Sequence, residues 1–146
     1  MFAIGAFTVI FDRHNRVLIC HRRDLNVWNL PGGRCESGEL PTEAAVRGTR
    51  EETGLDIETE RLTGVYAKPY KDDIVFVCTA KIVGEQLTPT DDTDECRYFA
   101  LKNFTANTIP KHVDRIQDAA ANLPQPIFRR QTSSTSQEYL EQLRNV

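Results

Sequence analysis

The chain has 146 residues, 40% of them hydrophobic and 27% charged, with 18 basic and 21 acidic side chains for a formal net charge of -3. That length fits one domain able to bury a core without staples, and the balance excludes collagen, coiled coil and wholesale disorder. The acidic excess also disfavours a surface that wraps a DNA or RNA backbone, which needs clustered Lys and Arg. It leaves room for a small phosphorylated ligand held by a metal and a few local cations.

The apolar run Phe2–Phe11 is rich in strand formers. It lacks a basic lead and a cleavage site and is too short to span a bilayer, so it reads as a core strand rather than a targeting segment. Asp12-Arg13-His14-Asn15 is a turn cluster, and Arg16–His21 a second strand, which predicts a hairpin. Leu30-Pro31-Gly32-Gly33 marks a loop.

Pro41–Thr53 is the first helix, with Thr42 as its expected N-cap and Gly54-Leu55 as a left-handed C-terminal cap. Strands are expected at Arg61–Tyr66 and Ile74–Val83, an acidic loop at Asp91–Glu95, and a short strand at Arg97–Leu101. Ile109, Val113, Ile116 and Ala120 recur at helical spacing, with Pro110 near the start. Leu123-Pro124-Gln125-Pro126 ends that helix, and Gln131–Gln137 is linker-like. Thr135 and Glu138 form a capping box for a last short helix carrying Tyr139, Leu140 and Leu143. The order predicts an α/β (α+β) fold, a mixed sheet between helices. Residues 1–123 are the expected domain. Residues 124–146 are an extension packing on that domain or on a second copy in a homodimer. Cys20, Cys35, Cys78 and Cys96 form no C-x-x-C pair and read as reduced thiols of a cytoplasmic protein.

Chemistry concentrates in Trp28–Leu55. Glu51 and Glu52 fall near the end of the first helix, and Arg47 lies beside Glu51 because residues four apart are helical neighbours. Two carboxylates facing one site repel by about 2–3 kcal/mol at ~6 Å and an effective dielectric near 20. A divalent cation turns that repulsion into attraction, and Mg²⁺ is typically held by one or two carboxylates plus substrate phosphates.

This stretch resembles the Nudix box of the Nudix hydrolase family. Gly33 opens it, and Glu39, Arg47, Glu51, Glu52, Gly54 and Leu55 follow at the family's spacing. Trp28-x-Leu30-Pro31-Gly32 resembles the family's lead-in, and His21-Arg22-Arg23 and Arg97-Tyr98-Phe99 extend the likeness to roughly residues 2–122. The resemblance implies hydrolysis of a nucleoside diphosphate linked to another moiety, such as a nucleoside triphosphate, nucleotide sugar or dinucleotide. Mg²⁺ is the implied cofactor, with Mn²⁺ as the alternative. Glu51 and Glu52 are the implied metal ligands, joined by the Gly32 carbonyl. Arg47 orients the carboxylates from a pairing with Glu39 or Glu51. Arg22 and Arg23 are candidates for phosphate, and Gly33 for close backbone approach to substrate. Trp28 either stacks on a base or packs in the core. Lys68, Tyr66 and Tyr70 are weaker candidates from a loop near the site. His14, His21 and His112 form no ligand cluster and read as solvated or packed.

The box departs from its family at one position: Gly48 stands where the family has Glu, and Thr49 follows where an apolar residue is usual. In the family that Glu is a metal-site carboxylate and in some members the general base, whose loss costs ~10²–10⁴-fold. Three explanations stay open. The base lies elsewhere, with Asp92 and Glu95 as the natural source. Or the chain binds and barely turns over, as a regulatory module. Or a metal-held water is activated by the metal alone.

Overall fold

The computed structural model describes residues 1–84, 87–90, 93–132 and 141. Among these, the strands are β1 (Ala3–Val9), β2 (Val17–Arg22), β3 (Val27–Asn29), β4 (Gly32–Arg34), β5 (Asp56–Lys68), β6 (Lys71–Gly84), β7 (Thr93–Phe99) and β8 (Ile127–Arg130). The helices are α1 (Pro41–Thr53) and α2 (Pro110–Ala120). A five-stranded sheet runs β4-β1-β6-β5-β8, and a three-stranded sheet runs β3-β2-β7. Parallel pairing of β1 with β6 and β5 with β8, among antiparallel neighbours, makes the larger sheet mixed, as expected.

Alternation along β1 assigns each helix a face. Ala6 packs with Ala44 and Ala45 of α1, and Ile10 with Val46 and Leu55. Val9, with Phe7 against it, joins Ile116 and Ala119 of α2. Both faces are apolar because both are covered.

The expected hairpin of the first two strands is only a turn. Asp12 Oδ1 accepts the His14 and Arg16 amides at 2.9 Å, and Leu18 N donates to Ile10 O at 3.0 Å. The chains then part into different sheets. A strand has two edges, and those of β1 are taken by β4 and β6 while those of β2 are taken by β3 and β7.

Helix α1 covers the expected span but is capped at Leu40, not Thr42. Pro41 takes the first helical position, where its missing N–H costs nothing. The Glu43 carboxylate accepts the Leu40 amide at 2.9 Å. Gly54, at φ 78°, forms the expected left-handed cap and donates to Arg50 O at 2.8 Å.

The acidic stretch expected as a loop is strand from Thr93 onward, because β2 offers it an edge (His21 opposite Glu95). The same ladder sets Cys20 opposite Cys96, and both are free thiols. Tyr66 is not in a loop: it is buried in β5, with its hydroxyl donating to Asp118 at 2.9 Å. β8 had no clear signal in the sequence, being four residues behind Pro126 that draw their pairing from β5. The last helix falls outside the described residues apart from Glu141. No helix among the described residues is long and apolar enough to cross a membrane.

Candidate active site

The turn at Gly32 starts the site. Its φ of 154° lies where side chains are strained, and a Cβ there would run into the Ala6 carbonyl oxygen. Gly48, buried on α1, sits directly on this turn. A Cβ on residue 48 would stand 2.6 Å from Gly32 C, 2.7 Å from Gly32 O and 2.8 Å from Gly33 N. Real Cβ atoms do not approach backbone that closely, so the missing Glu is also a packing contact: helix and turn meet where a side chain would otherwise be. Thr49 is explained by the same docking. Fully buried, it shares a 3.0 Å hydrogen bond with the Thr8 hydroxyl on β1, so its polarity is satisfied inside the core.

Arg47 organises the helix's outer face. Its guanidinium donates to both Glu39 oxygens at 2.8 and 3.0 Å, to Arg34 O at 2.7 Å and to both Glu51 oxygens at 3.1 and 3.2 Å. The Arg47 hydrogen bonds hold the Glu39 carboxyl down at about 2. Glu51 is therefore bound to Arg47, with its side chain 58% exposed.

Glu52 is positioned differently. It lines a cleft of about 620 Å³, together with Gly32, Gly33, Arg22, Arg23 and Arg34. Being four residues after Gly48, it shares a helix face with the glycine that contacts Gly32. Arg22 bonds Asp24 at 2.7 and 3.1 Å, and exposed Arg23 donates to Thr90 O at 3.0 Å. Five of the residues singled out by sequence thus share one cleft, with Arg47 and Glu51 in the adjoining network.

The others are not brought to it. Trp28 is 5% exposed and packs edge-on against Phe99 at 5.1 Å, with the Arg97 guanidinium 5.1 Å over its ring. It occupies the core, the second of its two expected roles. Glu95 points to solvent and pairs with Arg97 at 2.6 Å. Asp92 lies outside the described residues.

Lys68, a weaker candidate expected in a loop, does line the cleft, but from the end of β5, paired at 2.9 Å with Asp73 of β6. Tyr70, in the turn between these strands, is fully exposed. The α2 side was missed by sequence reasoning: it contributes Lys111, His112 and Arg115, all buried. His112 accepts the Leu30 amide on Nδ1 at 3.0 Å. Burial, aided by Arg115, keeps its imidazole neutral. Burial also pulls the Arg115 guanidinium down to about 10. On β3, Asn29 Oδ1 is a buried acceptor lining the same cleft that receives no hydrogen bond among the described residues. The available signal was positional: His112 and Arg115 fall in step with Ile109, Ile116 and Ala119, on the stripe that packs inward.

The donor set fits a divalent ion only in a shared arrangement. No group of three or more His, Cys, Asp or Glu side chains able to hold a metal occurs among the described residues. Glu52 offers one carboxylate and Gly32 one backbone carbonyl oxygen. That suits a cation completed by substrate phosphates and not an all-protein cage.

The chain is similar to known proteins in sequence and in fold. The NUDIX domain profile matches residues 1–120. A putative 8-oxo-dGTP diphosphatase of Bacillus subtilis (strain 168) is 37% identical over 86 residues, 59% of this chain and 58% of the relative. An ADP-ribose pyrophosphatase of Methanocaldococcus jannaschii is 36% identical over 104 residues, 65% of this chain and 60% of the relative. The chain thus spans about three fifths of the length of these curated relatives. Among solved structures, a NUDIX hydrolase from Nitrosomonas europaea superposes with a TM-score of 0.76 at 21% identity, covering 88% of this chain and 78% of the other. An ADP-ribose pyrophosphatase from Streptococcus suis gives 0.71 at 19% identity, covering 90% of this chain and 100% of the other. These two likenesses speak for the fold.

Proposed function

The chain belongs to the Nudix family, whose domain it matches over residues 1–120, and on that premise we propose that it is a Mg²⁺-dependent pyrophosphohydrolase. Its substrate is a nucleoside diphosphate linked to another moiety. The supporting observation is that Glu52, the Gly32–Gly33 turn and three arginines line one cleft. The names of the relatives put 8-oxo-dGTP and ADP-ribose first among substrates to try.

In this reading Glu52 and the Gly32 carbonyl hold the cation, with Mn²⁺ as a substitute. A bound divalent ion supplies an activated water and neutralises charge on the pyrophosphate. Arg22, Arg23 and Arg34 neutralise the remaining phosphate oxygens, where arginine's fork suits bidentate contact. Arg47 acts at one remove: it fixes Glu51 and Glu39 and ties α1 to the Arg34 carbonyl. The segment after residue 123 adds β8 to the same sheet, so we read it as part of this domain.

A second reading is a nucleotide-binding module with little turnover, and Gly48 favours it. Restoring Glu at 48 does not test this cleanly, since its Cβ would displace the Gly32 turn. The test is nucleotide and phosphate release from a substrate panel with Mg²⁺, for wild type and Glu52→Gln. The hydrolase reading expects metal-dependent release by wild type and a loss of at least ~10²-fold in the variant. Saturable nucleotide binding without release would favour the module. Equal release by both proteins would overturn the carboxylate's role.

A further inference from the structure

The α2 wall of the cleft has an excess of hydrogen-bond donors. The Arg115 guanidinium lies between two rings, its central carbon 5.5 Å from the centroids of both Phe7 and Tyr66. Its Nε donates to Gln131 at 3.0 Å. Among the described residues no carboxylate is hydrogen-bonded to it, although the residue is only 3% exposed. Of the two carboxylates that act on it through space, Asp73 is taken by Lys68, and Asp114 is not hydrogen-bonded to it.

The contact between Arg115 and His112 is more telling. Arg115 Nη1 stands 3.4 Å from His112 Nε2. Because Nδ1 accepts the Leu30 amide, the proton of the neutral ring is on Nε2. Two N–H groups therefore face each other at the cleft wall, and neither can accept. An oxygen lone pair placed against both would satisfy them. Burial of a guanidinium without a hydrogen-bonded counter-charge is costly, so the missing partner is anionic. Asn29 Oδ1, a buried acceptor lining the same cleft, also lacks a partner among the described residues and would take a donor from a bound molecule, such as a phosphate hydroxyl.

We propose that Arg115 and His112 form an oxyanion subsite, for a phosphate or carboxylate group, which works without the metal and is separate from the Glu52 side. It deepens the reading above, and rests on it only in assigning that oxyanion to the nucleotide substrate. Arg115 supplies charge through its free Nη edge, and His112 supplies a neutral donor that holds the oxygen in place.

The test uses the whole chain in a chelating buffer, with inorganic phosphate and acetate as probes. The readouts are the Leu30 amide and the His112 ring nitrogens by NMR. Phosphate should shift both signals saturably, in the ~1–10 mM range expected of an isolated oxyanion. A shift with acetate as well assigns a pocket tolerant of carboxylates, and a shift with phosphate alone assigns phosphate. Arg115→Gln should weaken the response about tenfold or more. Glu52→Gln should leave it unchanged, so a failure of the hydrolase reading does not remove it. Should Arg115→Gln not fold, the wild-type ring-nitrogen titration decides. No shift of Leu30 or His112 with either probe would overturn the proposal, as would an unaltered response in folded Arg115→Gln.

Discussion

The two walls of the cleft handle charge in opposite ways. On the α1 wall Arg47 is saturated by Glu39, Glu51 and the Arg34 carbonyl. On the α2 wall Arg115 is deeper in the protein and has no hydrogen-bonded acid among the described residues. A saturated network holds its own shape and positions its neighbours. An unsaturated, buried cation waits for a partner from outside. The α1 wall therefore resembles prepared machinery and the α2 wall a receptor.

Removing the carboxylate that α1 contributes to the cleft should break this contrast most visibly. Glu52→Gln is expected to lose at least ~10²-fold of metal-dependent turnover while the anion response of the α2 wall persists. If both vanish together, the walls are one site and the contrast fails.

Gly48→Ala is the next largest effect. In an open helix this change would stabilise by up to about 1 kcal/mol. Here the added Cβ meets Gly32 and Gly33 backbone at 2.6–2.8 Å. Overpacking of that kind typically costs about 1–3 kcal/mol. Denaturant unfolding should show net destabilisation, with the midpoint lowered at unchanged slope. A more stable Gly48→Ala would mean that the helix does not rest on the turn as described.

How much of each wall was legible in the sequence follows from the range of its contacts. Arg47 and Glu51 are four residues apart on one helix, so their pairing could be read directly, as could the Gly54 cap and the turn at Asp12–Asn15. Gly48 looked like a deletion because the sequence shows what is missing and not what fills the space. Its partner, Gly32, belongs to another element. The α2 wall was illegible for the same reason. His112 meets Leu30 across 82 positions, and Arg115 meets rings from β1 and β5. The stripe Ile109, Val113, Ile116, Ala120 located the helix but set its inward face slightly off, since the buried residues are Ile109, Lys111, His112, Arg115, Ile116 and Ala119. The parting of β1 from β2 and the existence of β8 likewise depended on which sheet edges were free.

The smallest effect concerns the saturated wall and acid. Glu39 titrates at about 2 in the folded protein because of its hydrogen bonds from Arg47, below its ordinary value of 4.5. A carboxyl depressed on folding adds stability above its unfolded pKa and loses it as pH falls through the folded one. The Arg47–Glu39 contribution should therefore be whole at about pH 6 and mostly gone near pH 2. The Glu39 side chain keeps 19% of its surface exposed, so water and salt partly screen the effect. Comparison of wild type with Glu39→Gln isolates it: the stability gap between them should narrow on acidification and narrow again in high salt. Arg115 has no such hydrogen-bonded acid among the described residues. A gap that stayed constant with pH would show that Arg47 does not depend on Glu39 for its position, and the two walls would then differ less than their geometry implies.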